Sequence, residues 1–169
     1  MNFDQAFAFV VGEEGGLSTD RNDPGNWTMG GVGRGIFLGT KYGISAAAYP
    51  NEDIPNLTLD RAKFLYKRDY WDKVYGDALP ALVSLGLFDA AVNEGVTESI
   101  RLAQTALGLI ADGVFGHETM SRLSVVDRRI FARSFAIARI LRYSKDSKWT
   151  TDGKSWTGRV LDVHSQMIM

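Results

Sequence analysis

The sequence predicts a mainly α fold with one small β lobe, on three observations. Apolar residues recur at helical spacing along most of the 169 residues, residues 78–95 are apolar nearly all round, and glycine with other turn formers crowds residues 15–45. The length suits one domain, or one domain with a small appended lobe, and supports a sizeable core. With 45% apolar and 23% charged residues the composition is that of a folded globular chain, which argues against disorder.

Taken in order, the first element is a helix whose buried stripe is Phe3, Ala6, Phe7, Val10 and Val11. Gly15-Gly16 is expected to stop it, because glycine adopts the left-handed conformation of helix ends. Val32 and Ile36-Phe37-Leu38, set between glycines, suit a small hairpin or irregular β lobe flanking a cleft. The run Gly30-Gly31-Val32-Gly33-Arg34-Gly35 is not read as a phosphate loop, since no predicted strand precedes it and the Lys-Ser/Thr pair is missing. Residues 49–56 form a connection. Thr58 is then a good N-cap for a helix with Asp60 in its first turn and Leu59, Ala62, Leu65, Tyr66 and Tyr70 on its buried side. Tyr70 and Trp71 suit either the core or a sugar ring.

In the central apolar helix, Asp89 and Asn93 share a face at i, i+4 and either knit the fold together or line a cleft. Further helices are expected at about 98–109, from the 111–116 turn to Leu123, over 127–143, and from Trp156 onward, with 145–155 as loop. The 127–143 helix places Ile130, Phe131, Ser134, Phe135, Ala138 and Leu141 on one side and its arginines on the other.

Cysteine is absent, so neither a disulfide nor a thiolate metal site can form. The two histidines, His117 and His164, lie far apart, and no metal or cofactor is expected. Residues 1–5 lack the basic flank and apolar core of a signal peptide, and no run approaches the roughly 18 apolar residues of a membrane span. The expectation is cytoplasmic synthesis without Sec export and no stable membrane insertion. Net charge is −1 but uneven: residues 1–121 carry 9 basic and 16 acidic side chains, or −7, and residues 122–169 carry 10 and 4, or +6. A basic C-terminal face suits a polyanion such as nucleic acid or an anionic wall, or is taken up by salt bridges and a solvated helix face. No aromatic-interleaved basic stripe accompanies the arginines, which argues against nucleic acid.

Chemistry concentrates at the end of the first helix. Continuing its stripe by three from Val11, or four from Val10, lands on Glu14, while Glu13 lies about 100° away and faces solvent. A carboxyl on the apolar side is costly to ionise, so its pKa rises. An acid kept neutral beside an open turn can protonate a leaving group, as glycoside cleavage requires. The alternative is a solvated acidic pair preceding a helix cap.

Glu14, eight intervening residues, Asp23, four more, and Thr28 resemble the Glu, Asp, Thr arrangement of phage-type lysozymes. The fuller run Glu14-Gly15-Gly16, Asp23-Pro24-Gly25, Thr28 and Tyr42-Gly43-Ile44 resembles glycoside hydrolase family 108, the N-acetylmuramidases of phage endolysins and related bacterial proteins. The likeness continues through Tyr66 with Tyr70-Trp71, Leu79-Pro80, the block from Phe88 to Gly95, Gln104 with Leu107-Gly108, Asp112 to Gly116 with Thr119, and Trp156 to Val160. Two departures stand out. Glu13-Glu14-Gly15-Gly16-Leu17 replaces the common His-Glu-Gly-Gly-Tyr, and residues 29–41 are inserted before Tyr42.

The resemblance implies a lysozyme-like α+β fold, mainly α, with a β-hairpin lobe beside the active site and a helical bundle. It implies a single domain over 1–169, in which 1–76 form a catalytic N-terminal lobe and 77–169 a peptidoglycan-associated region. The implied reaction is hydrolysis of the β-1,4 bond between N-acetylmuramic acid and N-acetylglucosamine. Glu14 would be the general acid, Asp23 the second charge with Asp20 as its rival, and Thr28 a holder of water. Tyr42, Trp71, Asp89 and Asn93 are candidate substrate contacts. The partner is the peptidoglycan glycan strand, met by a monomer in the periplasm after holin-assisted release, and likeness to phage lysozymes favours inversion. Competing readings are a lytic transglycosylase, which needs no water-holding aspartate, and a non-catalytic peptidoglycan-binding or secretion-helper protein.

Overall fold

The computed structural model describes residues 1–13 and 16–169, so the expectations for Glu14 and Gly15 fall outside the described residues. Helix α1 (Phe3–Val10) buries Ala6, Phe7 and Val10, as its periodicity predicts. It ends earlier than expected. Val11 and Gly12 both donate their N–H groups to the Phe7 carbonyl, at 2.8 and 3.3 Å, and Gly12 takes φ +80°. Gly12 rather than Gly15-Gly16 therefore stops the helix, and Glu13 already lies beyond it.

The chain packs as two compact units, Phe7–Lys67 and Met1–Ala6 with Arg68–Met169. In the first, strands β1 (Thr40–Lys41) and β2 (Ile44–Ser45) pair antiparallel with Thr40 opposite Ser45 and Lys41 opposite Ile44. The β lobe is thus present, but its hairpin lies C-terminal to the expected one. Val32 and Ile36 are 54% and 66% exposed, and their segment forms isolated bridges, Trp27 with Phe37 and Gly31 with Arg34, in place of a regular hairpin. Helix α2 (Leu59–Tyr66) is capped by Thr58, whose hydroxyl accepts the Arg61 N–H at 3.2 Å. Its buried Ala62, Leu65 and Tyr66 share the core with Phe7, Ile44, Ile54 and Leu57, and Phe7 meets Tyr66 edge-on at 5.4 Å.

The second unit is built around α3 (Ala81–Glu94), in which every residue from Val83 to Ala91 is buried. Helices α4 (Val96–Ala106), α6 (Arg128–Tyr143) and α7 (Trp149–Ile168) pack on it, and α5 (His117–Val125) precedes α6. Gly86 permits the close approach of α7, because a Cβ there would lie 2.6 Å from the Met167 sulfur. On α4, Ser99 donates its hydroxyl to the Leu87 carbonyl at 2.8 Å and so ties that helix to α3 without leaving a buried polar group unmet.

Two helical expectations change. The last helix begins at Trp149, not Trp156, because Trp149 folds back over Gly153, where a Cβ would meet its ring at 2.7 Å. Of the 145–155 run that reads as loop, residues 145–148 are a turn and 149–155 form the first two turns of the helix. On α6, Ile130 and Leu141 are 67% and 57% exposed while Arg139 is buried, so the inward stripe runs Phe131, Phe135, Arg139. Among the described residues, no helix is long and apolar enough to cross a membrane.

The 111–116 turn is pinned from α4. Val114 N–H and the Gln104 side-chain amide both donate to Asp112 Oδ1 at 2.8 Å, and Gly113 N–H donates to Gln104 Oε1 at 2.9 Å. The Val114 and Gln104 hydrogen bonds hold the Asp112 carboxyl below its ordinary value of 3.8. A carboxyl lowered in the folded state stabilises above its unfolded pKa, and that contribution is lost as pH falls through the lowered value. Asp112→Asn is accordingly expected to melt below wild type at pH 6, with the gap in Tm closing below pH 3.8. A gap undiminished at pH 2 would contradict this account.

Candidate active site

The acidic loop of the first unit is a set of nested turns. Asp23 caps a short 3-10 turn, Pro24–Asn26, with Oδ1 accepting the Gly25 N–H at 2.8 Å and Pro24 supplying a preset φ at the first position. Asp20 does the same on a smaller scale, accepting the Asn22 N–H at 2.9 Å. Both carboxylates are exposed. The pivot beneath them is Asn26, fully buried, whose amide donates to the Asp20 carbonyl at 2.8 Å and accepts the Thr40 hydroxyl at 2.7 Å. Its own carbonyl accepts the N–H groups of Leu38 and Gly39, both at 3.1 Å. One buried amide thus ties the Asp20–Asp23 turn to β1, which keeps Asp23 on a rigid base.

Two residues on, Thr28 Oγ1 accepts the Ile36 N–H at 2.9 Å, leaving the hydroxyl proton and a second lone pair available. Trp27 closes the loop: its indole N–H donates to the Arg21 carbonyl at 3.0 Å and its ring lies 5.1 Å from Phe37. Tyr42 stands in the two-residue hairpin turn with φ +50°, followed by Gly43 at +72°, the signs of a type I′ turn. A non-glycine residue held there stores strain. A Cβ on Gly43 would collide with the Tyr66 hydroxyl, so glycine is required at that position. Glu13 is 55% exposed and pairs with Lys63 at 3.3 Å. Asp23, Thr28 and Tyr42 therefore share one compact unit.

Trp71, Asp89 and Asn93 belong to the other unit, where two of the three are corrected. Trp71 is 1% exposed, wedged edge-on against Phe3 and Phe88 at 5.6 Å each, with its N–H donated to Asp77 Oδ1 at 2.8 Å. No ring face is left for a sugar. Asp89 is fully buried and knits the fold: Oδ2 lies 2.7 Å from Arg139 Nη1 and Oδ1 accepts from Arg159 at 2.6 and 2.8 Å. Asn93 is exposed and donates its amide to the Asp89 carbonyl at 2.7 Å.

Behind Asp89 lies a buried charged cluster that side-chain types alone do not predict. Arg139, 1% exposed, also donates through Nε to Glu94 Oε1 at 2.6 Å. Burial pushes the Glu94 carboxyl up against the pull of Arg139, and for Arg139 the charges of Asp89 and Glu94 outweigh burial and raise its pKa. Burial and the Glu94 charge push the neighbouring Tyr143 phenol up to about 12. The available signal was phase: Arg139 continues Phe131 and Phe135 by a further four residues.

A family model described as Glycosyl hydrolase 108 matches residues 7–95. The solved structure titled "Structure of Brucella abortus SagA" superposes with a TM-score of 0.79 at 29% sequence identity, over 98% of this chain and 93% of that one. No curated protein matches the chain significantly. That superposition, together with the helices and the small antiparallel sheet of this chain, fits a mainly α, lysozyme-like fold.

Proposed function

Because this chain belongs to the glycosyl hydrolase 108 family, we propose that it is an N-acetylmuramidase cutting the β-1,4 bond between N-acetylmuramic acid and N-acetylglucosamine in peptidoglycan. The family match over residues 7–95, a span holding Glu14, Asp23 and Thr28 in the family's spacing, carries this reading. Glu14 gives its proton to the glycosidic oxygen as the C–O bond breaks. Asp23 takes a proton from the water that attacks the anomeric carbon, or stabilises the oxocarbenium-like transition state. What supports Asp23 in that role is its exposure on a pinned turn, with Oδ1 held by the Gly25 N–H. The remaining hydroxyl capacity of Thr28 suits a water partner. Inversion would set the two carboxyls roughly 6.5–9.5 Å apart, the space a water needs.

In this reading the chain is an endolysin, made in the cytoplasm, passed by a holin to the periplasm, and active there as a monomer on glycan strands. Muropeptide mass spectrometry tests the chemistry. Digests should carry reducing ends, whereas anhydro ends would replace hydrolysis with transglycosylation. In a turbidity assay on outer-membrane-stripped cells, Asp23→Ala should lose about 10²-fold or more in rate and Asp20→Ala much less. The reverse order would move the second charge to Asp20.

A further inference from the structure

The glycosidase reading makes no use of a cleft of about 250 Å³ in the second unit, walled by Asn93 and Glu94 from α3, Arg142 and Tyr143 from α6, and Trp156 and Arg159 from α7. Asp146, in the turn after α6, completes it. Glu94 is the telling group. Its side chain is 4% exposed, Oε1 is taken by Arg139, and Oε2 makes no hydrogen bond of good geometry among the described residues, its neighbours being the Tyr143 hydroxyl and an Arg139 guanidinium whose Nη1 and Nη2 likewise make none. A buried carboxylate oxygen without a donor is costly, and a cationic N–H donor entering the cleft would offset that cost.

The opposite charge is present too. Arg142 is 45% exposed and, among the described residues, meets Glu98 through Nε at 3.4 Å, a long contact that leaves the Nη side of its guanidinium fit for a carboxylate. Tyr143 and Trp156 stack at 5.0 Å and 27° to give the cleft an aromatic wall. Its lining holds two carboxylates, Glu94 and Asp146, and two guanidiniums, Arg142 and Arg159, the latter already paired with Asp89, so charges of both signs face the cleft. A simple anion or a simple cation gains little from such a field. A ligand carrying both charges matches it.

Resting on the peptidoglycan reading above, we propose that this cleft binds the zwitterionic head of an amino acid, its ammonium on Glu94 Oε2 and its carboxylate on Arg142. A free amino acid and the diamino acid of a peptide stem both present that chemistry.

Calorimetric titration of the full chain tests this with four probes: meso-diaminopimelate, its diacetylated form without ammonium groups, 1,5-diaminopentane without carboxylates, and a muramyl tripeptide ending in meso-diaminopimelate. Both zwitterions should bind, and the two probes stripped of one charge should bind at least tenfold more weakly. Arg142→Ala, a change at a half-exposed site that should leave circular dichroism unaltered, should cost at least tenfold for both zwitterions. A tripeptide tenfold tighter than the free amino acid would identify the stem as the source, and equal or weaker binding the free amino acid. The proposal is overturned by absence of binding of both zwitterions at millimolar concentration, by equal binding of the diacetylated form, or by unchanged affinity in Arg142→Ala. Wall lysis is read on the same preparation. A chain that binds without lysing removes the glycosidase reading alone, and one that lyses without binding removes the cleft alone.

Discussion

Glu14→Gln is expected to abolish wall lysis, while Glu13→Gln keeps most of the wild-type rate. Glutamine retains the shape of the side chain but has no acidic proton, so the loss should be that of a general acid, about 10²- to 10⁴-fold. Because the interaction is made as the bond breaks, kcat and kcat/KM should fall together. Glu13 is the control. It is 55% exposed and its contact with Lys63 at 3.3 Å is a surface ion pair worth at most about 1 kcal/mol, so its neutralisation should be felt only slightly. Equal lysis by all three proteins, measured as turbidity loss on stripped cells, would sink the assignment. The two residues are adjacent and of the same type, so the comparison separates position from acidity.

The case for Glu14 rests on the family's spacing and not on helix phase. The stripe through Phe7 and Val10 predicts burial correctly, but α1 stops at Val10 because Gly12 turns the chain, and the phase cannot be carried on to Glu14. Elsewhere, legibility follows how completely a local pattern determines its environment. A run that is apolar nearly all round reads as a central buried helix, and α3 is that helix, buried at every residue from Val83 to Ala91. The Thr58 cap is a local side-chain to backbone bond and forms as read, and Asp127, which the sequence reading takes only as the start of a helix, caps α6 in the same way by accepting the Ile130 N–H at 2.9 Å. Features set by distant partners were not legible. Asn26 is buried only because Asp20, Leu38, Gly39 and Thr40 converge on it from up to 14 residues away. The hairpin falls at 40–45 because Tyr42-Gly43 can take the two positive φ angles, a turn that composition alone hides behind a tyrosine. Side-chain type places Arg139 outward, although its phase matches the inward stripe. Counter-charges on α3 and α7 reverse the usual preference of arginine for solvent.

Arg139→Ala is expected to cost the largest share of stability of any single change in the second unit. Arg139 is 1% exposed and lies between two buried carboxylates, 2.7 Å from Asp89 Oδ2 and 2.6 Å from Glu94 Oε1. Deleting it leaves both without their shared counter-ion in a dry setting, where breaking a buried pair typically costs about 3–5 kcal/mol. For a chain of this size each kcal/mol shifts Tm by about 2–4 °C, so a drop of roughly 6–20 °C is expected. Arg159→Ala should cost much less, about 1 kcal/mol, because Arg159 is 37% exposed and Asp89 keeps Arg139 in its absence. The pH dependence follows from Glu94, whose carboxyl is already raised above its ordinary 4.5 by burial. A carboxyl raised in the folded state contributes stability below its unfolded pKa and loses it as pH rises through the folded value. Removing Arg139 takes away the attraction that opposes this rise, so the penalty in Arg139→Ala should be largest at neutral pH and shrink as Glu94 is protonated in acid. Thermal melts of wild type, Arg139→Ala and Arg159→Ala between pH 4 and 8 measure all three quantities. A deficit in Arg139→Ala no larger than that in Arg159→Ala, or one that grows toward acid, would show that the cluster does not hold α3, α6 and α7 together.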